Sequence, residues 1–272
     1  MNYRHAYHAG NFADCMKHAL LVWMLRAMAR KPAPFAVLDT HAGIGHYVLD
    51  NGPADRTGEW RAGIARLLED TPAALAGYVG VVRQAGLYPG SPAITRALLR
   101  PGDRLICCEL HPEDAAALRR VFARDEQVAV HARDGWEALS ALLPPAAKRG
   151  LVLIDPPYEQ AGEYDRVAAA FRTVAARFPA GVVAAWYPIK HRAPVRALHE
   201  SIRLGGIKDV VAAELWLREP TDPTRLNGCG LLVRQPPWLW DQDWPALLDA
   251  LLARLGTREP GEGTAILRLT DE

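Results

Sequence analysis

The stretch Leu151–Glu159, "LVLIDPPYE", sets an unbroken apolar run against a carboxylate, two prolines and a tyrosine. An apolar run this short reads as a strand buried on both faces, as in a parallel sheet covered by helices. Proline cannot donate to a sheet ladder, so the strand must end at Asp155. The prolines then fix two successive φ angles directly beyond the carboxylate. A plain turn requires no such rigidity, so the segment reads either as a polar strand end or as a clamp for a ligand.

The same grammar recurs outward from this strand. Apolar runs at 34–40, 104–110, 127–133, 149–155, 181–188, 209–217 and 228–235 alternate with amphipathic stretches at 12–30, 112–124, 135–143, 161–178, 191–204 and 243–255. Strands separated by helices predict βαβ units and a mostly parallel, doubly wound α/β sheet of seven strands. The last two strands are joined by "REPTDPTRLN" (218–227) with no helix, which predicts a hairpin and an antiparallel final strand. One interval breaks the rhythm: after "THAGIGH" (40–46) no strand is expected before Arg104. Residues 47–87 are expected to form a small helical insertion within a single domain spanning 1–272. The helix that normally follows the glycine turn is displaced to 92–99, with Ser91 as its N-cap and Pro92 at the first helical position.

Bulk composition narrows the class. The chain has 272 residues, half of them hydrophobic, and a formal net charge of +1, so disorder and a globally basic nucleic-acid binder are both excluded. Only five of its 32 basic residues are lysines, a bias that genome composition explains as readily as phosphate binding. Cys15, Cys107, Cys108 and Cys229 form no C-x-x-C pair and are expected as buried free thiols in a reducing cytoplasm, with no zinc site. No apolar segment approaches the length of a membrane span, and nothing signals a dimer, so a cytoplasmic monomer without metal is expected.

In a doubly wound sheet, ligands bind at the carboxyl ends of the strands where the winding reverses. Polar residues collect on that edge. Gly43 and Gly45 follow the first strand, where glycine permits close approach of backbone to ligand or simply a tight turn. Glu109 ends the second strand, placed to accept from two ribose hydroxyls or to remain a solvated carboxylate. Asp134 and Gly135 follow the third, where Asp134 suits an adenine amine or the N-cap of the next helix. Asp155 ends the fourth. Neither a phosphate loop nor the third glycine of a pyrophosphate fingerprint is present, so an adenosine without phosphates, S-adenosylmethionine, fits better than ATP or NAD.

Asp-Pro-Pro-Tyr suits one chemistry in particular. The lone pair of an exocyclic amine on a nucleobase is delocalised into the ring, and two acceptors aimed at its hydrogens favour the pyramidal nitrogen that methyl transfer needs. The Asp155 carboxylate and the Pro156 carbonyl are the candidate acceptors, and Tyr158 offers a face for an extruded base, worth about 1–3 kcal/mol.

The motif resembles motif IV of the amino-methyltransferases. Together with "YRHAYHAGNFADCMKH" (3–18), "LDTHAGIGHY" (38–47), "YPGSP" (88–92), "ELHP" (109–112) and "PPW" (236–238), in the same order, it resembles the RlmJ-type adenine-N6 methyltransferases of bacterial 23S rRNA. The resemblance implies a Rossmann-like class I methyltransferase fold, with S-adenosylmethionine as cofactor and one adenine of 23S rRNA, met before full ribosome assembly, as substrate. It places cofactor contacts at His18, His41, Ser91, Glu109, Asp134, Gly135 and Asp155, and a substrate role at Tyr3. Phe12 stands where some relatives carry a polar residue. Tyr3, Arg4, Lys17 and the Lys190–Arg192 cluster are expected to face RNA, since aromatics interleaved with basic groups suit stacking and phosphate neutralisation. Read alone, His18 is an ordinary helix histidine and Lys190–Arg192 a solvated helix start. DNA adenine or rRNA guanine-N2 methylation, and a non-catalytic RNA-binding factor, remain alternatives. The glutamine methyltransferases tend to carry Asn where Asp155 stands.

Overall fold

The computed structural model describes residues 5–272. Its main sheet is built from β1 (Ala36–Asp39), β2 (Arg104–Glu109), β3 (Val128–Ala132), β4 (Gly150–Ile154), β5 (Val182–Ile189), β6 (Val210–Trp216), β7 (Gly228–Arg234) and β8 (Gly263–Thr270). The spatial order is β8-β6-β7-β5-β4-β1-β2-β3. Neighbours from β3 to β5 pair in parallel, and the winding reverses between β1 and β4. Strand β7 inserts between β5 and β6, antiparallel to both, as the helix-free connection predicts.

The sheet has eight strands among the described residues, one more than the sequence pattern predicts. Strand β8 lies antiparallel on the outer side of β6. As an edge strand it is mostly half-exposed, and only Leu269 is buried, so its sequence carries no strong apolar signal. Beneath it, β6 is buried at every position.

Alternation along the central strands builds two cores. On β4, Leu151 and Leu153 face one side while Val152 and Ile154 face the other. The first side is covered by α1 (Phe12–Ala29), α2 (Ser91–Leu98), α3 (Pro112–Val121) and, later in the chain, Trp240–Leu255; the second by α4 (Gly135–Ala141), α5 (Glu163–Arg177) and α6 (Arg192–Leu204). Helix α1 is buried almost all round because a further layer covers it. That layer comes from the short helices Pro53–Thr57, Glu59–Ala62, Ile64–Glu69 and Ala76–Ala85. Their segment is closed at its base by His46–Tyr47 pairing antiparallel with Tyr88–Pro89.

All four cysteines are free and buried, in keeping with their apolar contexts. Among the described residues, no helix is long and apolar enough to cross a membrane. Leu269→Ala should cost about 2 kcal/mol in urea unfolding, the lower end for a truncated buried leucine. A loss below about 0.5 kcal/mol would show that β8 does not dock as described.

Candidate active site

A cavity of about 670 Å³ opens at the carboxyl edge of the sheet, where the winding reverses. It is lined by His18, His41, Gly43, Ser91, Glu109, Asp134, Gly135, Asp155, Pro156 and Tyr158, so residues more than a hundred positions apart share one cleft.

One end of it is built around an ion triad. Asn11 caps α1 by accepting from the amides of Ala13 and Asp14, both at 3.0 Å, which fixes where the helix starts. One turn on, the buried Lys17 ammonium donates to Asp14 Oδ1 at 2.9 Å and to Asp155 Oδ2 at 2.6 Å. Burial opposes a charge on Lys17, but Asp14 and Asp155 outweigh it and hold its pKa well above the ordinary range. Lys17, expected from the sequence to face RNA, lines the cavity but is only 4% exposed and is held by two carboxylates. Its sequence neighbourhood is basic and aromatic, but it lies on the face of α1 turned toward the sheet.

Among the described residues, no donor reaches Asp155 Oδ1 or the Pro156 carbonyl, and both residues line the cavity. Tyr158 sits in the left-handed region at φ 54, a conformation that costs a non-glycine residue about 1–3 kcal/mol. Its hydroxyl donates to the Trp186 carbonyl at 2.8 Å, and its ring lies 4.9 Å from Tyr164 and 5.8 Å from Trp186. The aromatic is therefore anchored in place beside the carboxylate.

The opposite end is shaped by backbone. Glu109 accepts from the Gly43 amide on Oε2 and the His111 amide on Oε1, both at 2.8 Å. Burial raises its pKa while these amides oppose the shift. Asp134 caps α4 through Oδ1, accepting from Trp136 at 2.7 Å and Glu137 at 3.2 Å, and leaves Oδ2 for another donor. Capping and ligand binding are thus compatible in one side chain. Gly43, at φ +62, has no room for a Cβ beside the Tyr47 hydroxyl, and a Cβ on Gly135 would overlap the Thr40 carbonyl. Gly45, at φ +86, instead packs against Leu118, and its carbonyl accepts from Gly90; it does not line the cavity.

Ser91 is not the N-cap of α2. Gly90 holds that position, and Ser91 is free to donate to Asp39 Oδ2 at 2.6 Å. Burial pushes the Asp39 carboxyl up to about 7, with the Ser91 hydroxyl opposing and Asp155 adding to the shift. His41 bonds the Thr40 hydroxyl at 2.8 Å and meets the Trp136 ring edge-on; burial lowers its pKa to about 4, so it is neutral near pH 7. His18, a buried residue of the cavity wall, pairs with the Tyr88 hydroxyl at 2.9 Å.

Of the second basic cluster, exposed Lys190 lines the cavity mouth, whereas His191 caps α6 and Arg192 pairs with Glu219 over the Trp216 ring. Tyr3 and Arg4 lie outside the described residues. Sequence reading missed Asp14, Asp39, Glu59 and Trp186. The i, i+3 spacing of Asp14 and Lys17 is a legible signal for the first; the others depend on tertiary contacts.

The family model for "Ribosomal RNA large subunit methyltransferase D, RlmJ" matches residues 32–266. The chain belongs to this RlmJ family. It is 39% identical to ribosomal RNA large subunit methyltransferase J of Escherichia coli (strain K12) and 36% identical to that of Haemophilus influenzae, covering 97% of each chain. A crystal structure of a Legionella pneumophila protein superposes with a TM-score of 0.88 at 33% identity, over 96% of this chain and 98% of that one. The sheet order and reversed final strands are those of a class I methyltransferase fold, in line with the methyltransferase family matched.

Lys17→Met should destabilise the fold by about 3 kcal/mol in urea unfolding, since Asp14 and Asp155 lose the cation between them. A loss under about 0.5 kcal/mol would contradict the triad's role. Asp39 predicts a pH signature. Its carboxyl binds a proton more tightly folded than unfolded, between about pH 4 and 7, so its contribution to stability is greatest at acid pH and falls across that window. Melting curves at pH 5 and pH 8 should show Asp39→Asn gaining on the parent chain at pH 8; an unchanged difference would overturn the assignment.

Proposed function

We propose that this chain transfers a methyl group from S-adenosylmethionine to the N6 amine of one adenine in 23S rRNA, acting on RNA not yet packed into the ribosome. Membership of the RlmJ family supports rRNA as the substrate class. The observation that carries the chemistry is the Asp155 carboxylate, fixed by Lys17 through one oxygen and, among the described residues, without a donor on the other, beside Pro156 in the cavity wall.

The residues at the other end fit the donor. Glu109 keeps a lone pair on each oxygen beyond its two amide bonds, which suits two ribose hydroxyls, and Asp134 Oδ2 is placed for an adenine amine. The Gly43 and Gly135 backbones bring the walls close without side chains. S-adenosylmethionine supplies the electrophilic methyl group on a sulfonium centre.

On the substrate side, Asp155 Oδ1 and the Pro156 carbonyl accept the two amine hydrogens of the target base and orient its lone pair out of conjugation. As N6 takes the methyl group and S-adenosylhomocysteine is released, Asp155 Oδ1 receives the surplus amine proton. Lys17 prevents the carboxylate from swinging away, because moving it would strand a buried ammonium beside Asp14 alone. Tyr158, held by the Trp186 carbonyl, gives the extruded base a surface to stack on. Lys190 at the mouth faces the RNA backbone, where a single exposed cation adds affinity without base selectivity.

With naked 23S rRNA, Asp155→Ala should lower methyl transfer roughly a hundredfold to a thousandfold, the scale for removing one preorganised polar contact to a reacting centre. Binding of S-adenosylhomocysteine, read by calorimetry, should stay within a few-fold. Transfer at near the parent rate would remove Asp155 from the mechanism.

A further inference from the structure

Methyl transfer as described uses no residue of the short helices between 47 and 87, yet Glu59 from this segment lines the same cavity. Its carboxylate makes two bonds to the N-terminal arm, here residues 5–11: Oε1 with His8 Nδ1 at 2.8 Å and Oε2 with Asn11 Nδ2 at 3.0 Å. The surrounding backbone closes the same seam. The Thr57 hydroxyl donates to the Tyr7 carbonyl at 2.5 Å, and the Ile64 amide donates to the Gly10 carbonyl at 2.8 Å. A Cβ on Gly63 would overlap that Gly10 carbonyl, so the two segments touch backbone to backbone.

Asn11 is shared between two tasks. Nδ2 goes to Glu59, while Oδ1 caps α1 at Ala13 and Asp14. Asp14 in turn accepts from the Gly10 amide on Oδ2 at 2.9 Å and from Lys17 on Oδ1, and Lys17 reaches Asp155. Contacts therefore run without a gap from Glu59 through Asn11, Asp14 and Lys17 to Asp155. The geometry points to Glu59 as a positioning residue: it clamps the N-terminal arm over the cavity and sets the start of α1, and thereby the placement of Lys17 against Asp155.

The His8–Glu59 pair is more than a third exposed on both sides, and pairs of that kind contribute little to global stability. A role confined to holding the fold together would thus be a poor use of this contact, whereas a local clamp needs only to keep the arm and the first turn of α1 closed.

The inference that Glu59 tunes catalysis rests on the proposed function, but the clamp itself is measurable without activity. Glu59→Ala and Glu59→Gln in the full chain separate the cases, because glutamine keeps an oxygen for the Asn11 amide. Hydrogen exchange should rise at least tenfold over residues 8–17 in Glu59→Ala, with sheet amides and the global unfolding midpoint unchanged. Methyl transfer to 23S rRNA should lose at least tenfold in kcat, while the KM for S-adenosylmethionine and the affinity for S-adenosylhomocysteine stay within twofold. Glu59→Gln should return both exchange and kcat to within threefold of the parent. Unchanged exchange over 8–17 in Glu59→Ala overturns the clamp, as does a glutamine variant as impaired as the alanine one. Should Glu59→Ala fail to fold, the result counts against a purely local role and the glutamine variant still reads the clamp. A parent chain inactive on 23S rRNA would defeat the proposed function, while the exchange data would still decide the clamp.

Discussion

The Asp-Pro-Pro-Tyr end of the cavity depends on one buried ammonium between two carboxylates. An unpaired charge in the position of Lys17 would be prohibitively costly, and so would Asp14 left beside it alone. The three groups therefore fix one another, and each belongs to a different level of the fold. Asp14 and Lys17 come from the first turns of α1, while Asp155 comes from the tip of β4. The triad welds the N-terminal helix to the strand that carries Asp-Pro-Pro-Tyr. It also settles which carboxylate oxygen the ammonium takes.

The fold supplies what that weld needs. A parallel sheet with reversed winding between β1 and β4 leaves a crevice at the strand tips, and buried alternation on β4 holds Asp155 at a constant height. The prolines end the ladder, and the left-handed turn at Tyr158 swings the aromatic to the carboxylate's side. Backbone strain stored beside a reactive group is typical of sites held rigid by their surroundings. Here the Trp186 carbonyl and the Tyr164 ring do the holding.

Much of this was legible in the sequence because periodicity and punctuation report local physics. The strands from 34 to 235 and the helices between them follow from apolar runs, and the reversed β7 follows from a connection too poor in helix formers to cross over. The eighth strand was not legible, since a half-exposed edge strand buries too little to leave an apolar pattern. At the site, Glu109, Asp134, Gly135 and Asp155 line the predicted cleft because strand tips of one sheet edge converge by topology. The burial of Lys17 was not legible for a physical reason: a lysine is exposed unless paired, and the pairing with Asp155 spans 138 positions. Ser91 was misread as a cap because its hydroxyl is drawn to Asp39, a contact no local rule encodes. Glu59 lay hidden in a segment whose helices looked peripheral.

This cleft is proposed to grip the amine of an rRNA adenine. Mapping N6-methyladenine across 23S rRNA tests it most directly, in a strain lacking this chain and in the same strain carrying it again. One adenine should lose its N6-methyl group on deletion and regain it on complementation. An rRNA map identical in both strains would contradict the account.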